Sequence, residues 1–194
     1  LCSLQDELAD GTYRPLPYTN FYVYEKKRRL VSAADLRDRV IHHAYCNVVE
    51  RIFEARFIHD SYACRVGKGT HRALDRCTYF ARRNRYVLKC DVAKFFPTVD
   101  HEILLAILGR LIRDERVMDL ARTILASGLG ILDEEAPQRW FPGDDLFTPS
   151  ERRRGLPLGN QTSQFFANVY LDPLDHFVRE RLAAGGYLRY VDDL

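Results

Sequence analysis

Three aspartates carry the chemistry that most needs explaining in this sequence. Asp91 closes the apolar run Tyr86-Val87-Leu88-Lys89-Cys90 and is followed by Val92. Asp192 and Asp193 close a second run, Tyr187-Leu188-Arg189-Tyr190-Val191. A carboxylate at the end of a buried strand is costly unless it is paired or metal-bound. Two such strands side by side bring their acids together, and like charges that close repel unless a cation sits between them. Hard oxygen ligands of this kind suit Mg²⁺, which takes a few carboxylates and completes its shell with substrate phosphates and water. Two such ions about 3.5–4 Å apart are the usual device for in-line phosphoryl displacement.

The charge pattern points the same way. The net charge is only +2, but residues 61–90 hold eight basic residues (Arg65, Lys68, Arg72, Arg76, Arg82, Arg83, Arg85 and Lys89) against one acid, Asp75. Residues 133–145 hold five acids (Asp133, Glu134, Glu135, Asp144 and Asp145) against Arg139. A concentrated basic segment in a near-neutral chain suggests a polyanionic partner.

The elements that must position these groups follow from periodicity. The chain has 194 residues, 46% hydrophobic and 29% charged, which excludes disorder and collagen-like repeats. It contains no apolar run long enough to span a membrane and no signal peptide. It does not begin with Met and reads as a piece of a longer protein. The five cysteines (Cys2, Cys46, Cys64, Cys77 and Cys90) form no C-x-x-C pair. They therefore read as reduced thiols in a cytoplasmic protein rather than a zinc site, with Cys46 and Cys90 in the core.

Residues 11–31 read as loop and extended chain with a basic turn at Lys26-Lys27-Arg28-Arg29. A helix is expected from about 33 to 57, capped by Ser32. Its stripe is Leu36, Val40, Ala44, Val48 and Ile52, widened by Ile41, Tyr45, Val49 and Phe53. A second helix spans 68–84 with Ala73, Leu74, Cys77 and Phe80 on one side. Residues 86–92 read as a buried strand, 100–111 as a helix capped by Asp100, and 116–127 as a helix stopped by Gly128. Residues 129–155 are irregular, 162–183 a long helix kinked at Pro173, and 187–191 the start of a strand. This order is not a regular βα alternation, so the fold class is α+β.

With the elements in place, the motifs resemble those of reverse transcriptases, specifically bacterial ones of the group II intron kind. Asp91-Val92-Ala93-Lys94-Phe95-Phe96-Pro97-Thr98-Val99-Asp100-His101 is similar to the family's first catalytic motif, and Tyr190-Val191-Asp192-Asp193 to its Tyr-x-Asp-Asp box. Ser61-Tyr62-Ala63-Cys64-Arg65-Val66-Gly67-Lys68-Gly69, with His71 and Ala73, is similar to the motif that meets the incoming nucleotide. Gly155-Leu156-Pro157-Leu158-Gly159-Asn160-Gln161-Thr162-Ser163-Gln164 is similar to the motif that opens the palm helix beneath the template base. The resemblance covers about residues 20–194, with the motifs in the family's order. Gly143-Asp144-Asp145 resembles the Gly-Asp-Asp of viral RNA polymerases, but it lies in the irregular stretch before the helix that should precede such a motif, and reads as a turn.

The resemblance implies a right-hand polymerase fold with fingers and a partial palm, the thumb absent. Fingers would come from 1–85 and 111–154, and palm from 86–110 and 155–194. Asp91, Asp192 and Asp193 would be catalytic and hold two Mg²⁺ ions, with Mn²⁺ a possible substitute and the Val92 carbonyl completing a site. Arg65 and Lys68 would hold the triphosphate. Phe96 would exclude a ribose 2′-hydroxyl, and Leu158, Gly159 and Gln164 would line the nucleotide site. Arg72, Arg82, Arg83 and Arg85 would track nucleic acid. The partners implied are template RNA, a primer or RNA–DNA hybrid, and dNTP.

Most relatives carry Gln where Leu158 stands and Pro where Gln164 stands. That departure resembles the branch in diversity-generating retroelements, which misincorporate opposite adenine and work with a small basic accessory variability protein. Other bacterial reverse transcriptases, of group II introns, phage defence or CRISPR loci, are the alternative, as is a non-catalytic RNA-binding relic.

Overall fold

The computed structural model describes residues 2–24 and 27–194. After a short helix α1 (Cys2–Ala9), strands β1 (Thr19–Tyr24) and β2 (Arg28–Ala33) pair antiparallel, Thr19 opposite Ala33 and Tyr24 opposite Arg28. The stretch expected to be loop and extended chain is thus largely a hairpin. Arg28 and Arg29 belong to its second strand rather than to a turn, and Lys26 lies outside the described residues.

Helix α2 (Leu36–Glu54) follows, capped by Asp35, whose side chain accepts from the Arg37 N–H. Ser32 is not the cap; it is a buried residue of β2. The buried face of α2 is Ile41, Tyr45, Val49 and Phe53, while Leu36, Val40, Val48 and Ile52 are exposed. Both rows have the same four-residue spacing, so periodicity alone does not distinguish them. The row with Phe and Tyr has the larger surface to bury, and it faces the core.

Helix α3 (Thr70–Ala81) is shorter than expected and buries only Ala73, leaving Leu74 and Cys77 exposed. The one-turn helix α4 (Phe95–Thr98) leads to α5 (His101–Gly109), whose cap Asp100 accepts from the Glu102 and Ile103 N–H groups. Helix α6 (Glu115–Ser127) ends at Gly128, whose φ of −93° is not left-handed. A Cβ there would stand 2.6 Å from Pro157 Cγ, so Gly128 makes room for the neighbouring loop. The stretch to residue 155 is irregular apart from a 3₁₀ turn (Asp133–Glu135) and the one-turn helix α7 (Thr148–Glu151). Gly143-Asp144-Asp145 is a turn as expected: Asp144 accepts from Phe141 N and pairs with Arg152, and Asp145 accepts from the Phe147 and Thr148 N–H groups.

Helix α8 (Gln161–His176) contains Pro173 and passes into a wider π turn, Phe177–Arg181, where the expected α-helix was to continue. It packs against α2 and α5, and α5 against α6. Phe53 and Phe165 meet edge to face at 5.7 Å, as do Tyr45 and Phe166 at 5.8 Å. Cys46 lies in this core, but Cys90 is exposed.

The two expected palm strands do not form a regular ladder. Cys90 and Leu194 exchange N–H···O bonds of 3.0 and 2.9 Å, and Asp91 bridges Asp193, but Tyr86, Val87 and Leu88 are exposed and in no strand. An extended run becomes sheet only where a neighbour accepts its backbone groups, and the described residues supply that neighbour only at 192–194. Residues 187–191 likewise hold single bridges, Arg189 to Ser61 and Tyr190 to Asp193.

A second small cluster joins Leu4, Tyr13 and Ile41. Beside it Asp38, 1% exposed, accepts 2.8 Å bonds from Tyr13 Oη and Leu16 N. Asp38→Ala orphans both donors, so we expect about 2–3 kcal/mol of stability to be lost. Urea denaturation measures this; a loss under about 0.5 kcal/mol would mean that water replaces the carboxylate without cost.

Candidate active site

The second acidic motif is a tight turn. Tyr190 N donates to Asp193 O at 2.8 Å and Asp193 N to Tyr190 O at 3.1 Å, leaving Val191 and Asp192 at the tip. Val191 has φ of 58°, a left-handed conformation that a β-branched residue adopts only under constraint. Asp91 is brought alongside by its bridge to Asp193 and by a 3.1 Å bond from Val92 N to Asp192 O. Asp91, Val92 and Asp192 line one cavity of about 430 Å³. The two acidic motifs, a hundred residues apart in sequence, are thus joined through their backbones and line one cavity.

Burial raises the pKa of the Asp192 carboxyl above the ordinary carboxylate value, and the charges of Asp91 and Asp193 push it further, with Arg29 opposing. Asp193 is turned differently: its carboxylate pairs with Lys89 at 3.0 Å, and that hydrogen bond raises the Lys89 pKa.

The donor set fits a hard divalent cation. Two carboxylates share a cavity wall, and one is destabilised by the other's charge. Among the described residues no three acidic, His or Cys side chains close around a point.

Phe96 lines the cavity, edge-on at 5.4 Å to the buried ring of Phe95. Leu158 and Gln164 form another wall. Their loop is locked to the hairpin: Ser32 N donates to Leu158 O at 2.8 Å, and the buried Asn160 amide donates to Ser32 O at 2.9 Å and accepts from Ala34 N at 3.2 Å. Gly159 has φ of 109°, and a Cβ there would stand 2.9 Å from Val31 Cγ1. Its contribution is thus backbone shape, which lets the Leu158 loop lie against β2. At the other end His101 Nε2 meets Gly155 O at 2.7 Å, tying the first acidic motif to the same loop.

A family model described as reverse transcriptase (RNA-dependent DNA polymerase) matches residues 19–194. The chain belongs to this family. It is 30% identical to Protein YkfC of Escherichia coli over 190 residues, 94% of this chain and 46% of that protein. It is 27% identical to the group II intron-encoded protein LtrA of Lactococcus lactis over 174 residues, 88% of this chain and 27% of LtrA. Nuclear intron maturase 1, mitochondrial, of Arabidopsis thaliana is 23% identical over 81% of the chain and 28% of its own length. The chain therefore spans less than half the length of each of these relatives.

Not every residue singled out in this reverse transcriptase chain reaches the cavity. The Arg65 guanidinium lies outside it, paired with Glu54 at 2.7 Å and donating to the carbonyls of Ile58 and Ser61 at 2.7 and 2.8 Å. Lys68 donates to His59 O at 2.7 Å and sits over the Tyr62 ring. Neither lines the space around Asp91 and Asp192. Lys27, Arg28 and Arg29 of the hairpin do, with Lys94, which lies 4.0 Å from Glu135. Their signal was the basic run at the hairpin, visible in sequence; its direction was not. Arg72, Arg82, Arg83 and Arg85 are exposed on and after α3, outside the cavity, with Arg83 stacked at 4.2 Å over Tyr79.

The raised Asp192 pKa has a testable sign. A carboxyl whose folded-state pKa lies above its unfolded one costs stability when ionised, so the penalty is absent well below pH 3.8 and complete above its folded-state pKa. Asp192→Asn should therefore melt higher than the parent at pH 7 in the absence of divalent cations. The gap should close as the pH falls toward 3.8. A melting temperature that does not rise at pH 7 would show that the acids are not in conflict.

Proposed function

We propose that this chain is the fingers-and-palm portion of an RNA-directed DNA polymerase, adding dNTPs to a primer on an RNA template. The observation that carries this reading is the shared cavity of Asp91 and Asp192. In the reaction the primer 3′-oxygen attacks the α-phosphate of a dNTP, a P–O bond forms, and pyrophosphate leaves. Asp91 and Asp192, with the Val92 carbonyl, are the residues to hold divalent cations, two Mg²⁺ with Mn²⁺ as a substitute, and Asp193 supports the turn from the Lys89 side. Such ions lower the pKa of the attacking hydroxyl and stabilise the departing pyrophosphate.

The remaining roles follow from what lines the cavity. Arg29, whose charge acts on Asp192, suits triphosphate oxygens, while the neighbouring Arg28 lines the cavity edge with its guanidinium over the Tyr22 ring at 4.3 Å. Phe96 presents a ring where a ribose 2′-hydroxyl would need space, which favours deoxynucleotides. Leu158 and Gln164 face the forming base pair. The exposed arginines of residues 72–85, interleaved with Tyr79 and Tyr86, suit a phosphate backbone with stacked bases. In this reading the fingers take in 1–85 and 111–154, and the palm 86–110 and 155–194. No described helix is long and apolar enough to cross a membrane. We read the protein as cytoplasmic.

A non-catalytic relic is disfavoured, because a fold without catalysis gains nothing from keeping Asp192 half-buried beside Asp91. Asp91→Ala in the full-length protein should reduce Mg²⁺-dependent dNTP incorporation on an RNA template by more than about a thousandfold while RNA binding persists. Near-parental extension would sink the assignment.

Leu158 favours the diversity-generating specialisation, with template RNA and a small basic accessory protein as partners, although the relatives are named as a group II intron-encoded protein and a nuclear intron maturase. An amide at this position can hydrogen-bond near the nascent pair, so a poorly seated pair leaves polar groups unmatched. An apolar wall imposes no such check. Leu158→Gln should lower misincorporation opposite adenine roughly tenfold. Sequencing cDNA from a four-base template tests this, and unchanged errors at normal extension would return the chain to the intron-type reading.

A further inference from the structure

Arg189 and Asp175 are both fully buried, at 0% side-chain exposure, and no step of the chemistry above uses them. Asp175 stands near the end of α8, one residue before its last position. It accepts from Arg189 Nε at 2.8 and 3.0 Å, from Arg189 Nη2 at 2.8 Å and from Tyr187 Oη at 2.7 Å. That satisfies the ion pair by itself. The Arg189 Nη1 group is left over, and both its hydrogens are directed: to Asn168 Oδ1 at 3.0 Å and to the Val191 carbonyl at 2.9 Å. Asn168 lines the cavity and passes the contact on, donating to Ala63 O at 2.9 Å. The Arg189 backbone is fixed as well, donating to Asp60 O at 2.9 Å and accepting from Tyr62 N at 3.0 Å.

Val191 is the residue held at φ of 58°, and Asp192 follows it. A valine does not remain there unless its surroundings over-determine it. We propose that the buried Asp175–Arg189 pair is a positioning device: it clamps the Val191 carbonyl, holds the turn in its left-handed form, and so aims Asp192 into the cavity beside Asp91. The proposal rests on the polymerase reading of that cavity. Buried ion pairs are weak sources of stability, and apolar pairs of similar volume often replace them without loss. What an apolar pair cannot supply is the Nη1 donor to Val191.

The experiment compares full-length parent protein with Asp175→Leu/Arg189→Met. Melting temperature without metal, Mn²⁺ affinity by calorimetry, and the Mg²⁺ dependence of primer extension are measured on each. We expect the double variant to fold but to melt lower than the parent, because Tyr187 Oη and Asn168 Oδ1 lose a buried partner, while Mn²⁺ affinity falls and the half-saturating Mg²⁺ concentration rises about tenfold, as when a group supporting a metal ligand is lost. Adding Val191→Gly should recover part of both losses, because glycine takes the positive φ without help. A stable double variant with parental metal dependence overturns the proposal.

If the double variant does not fold, Arg189→Lys decides. Its ammonium keeps the charge on Asp175 but lacks the fork that also reaches Val191. The same metal shift is then expected, and its absence overturns the proposal. If the parent itself extends no primer, the polymerase reading fails, and the Mn²⁺ affinities still decide whether the pair positions Asp192.

Discussion

Helix α8 has almost no side that can face water. Phe165, Phe166, Ala167, Val169 and Leu171 are buried, and so are Thr162, Ser163, Asn168 and Asp175 around its other faces. A helix buried on nearly every side has to be wrapped, and the remaining elements are arranged to do so. The aromatic row of α2 covers one face, α5 another, and the 61–64 loop and the Arg189 segment close the rest. Because α8 is packed on most of its sides, the groups that attach to it share its surroundings. Gln164 and Asn168 at one end line the cavity, and Asp175 at the other holds Arg189.

That wrapping explains how the site tolerates internal conflict. The Tyr190–Asp193 turn places a valine in a left-handed conformation and a half-buried carboxylate next to another. Each arrangement is unfavourable taken alone and persists because the surroundings admit no easy relaxation. The first acidic motif is restrained on both sides, by the backbone bond from Val92 to Asp192 and by His101 against Gly155. The hairpin is restrained by Asn160 and by the close approach of Gly159 to β2. The cavity is therefore a junction of segments distant in sequence, drawn from 27–30, 63–64, 91–97, 132–135, 158–168 and 191–192.

Where the polar groups went also matters for the division of labour among the basic residues. Arg65, in the motif that resemblance would assign to the triphosphate, is committed to Glu54 and two carbonyls, with a side chain only 5% exposed. It braces the loop carrying Ala63 and Cys64, which does line the cavity. Arg28 and Arg29 of the hairpin line the cavity instead.

The sequence by itself determined the acidic pairs, the motif order, the α+β class and most helices, because each depends on local composition: period, caps such as Asp100, and residues that stop a helix. It also revealed the basic run at 27–29 without its direction. Only the tertiary structure decided which of two equally spaced rows of α2 is buried, that Asp35 rather than Ser32 caps it, and that Cys90 is exposed. It alone decided that 86–92 and 187–191 make bridges rather than a sheet, since strands exist only in pairs. Which way Arg65, Arg28 and Asp193 turn, and that Arg189 meets both Asp175 and Val191, depends on partners far along the chain. Spacing in sequence encodes which face a residue shares; it does not encode which partner that face finds.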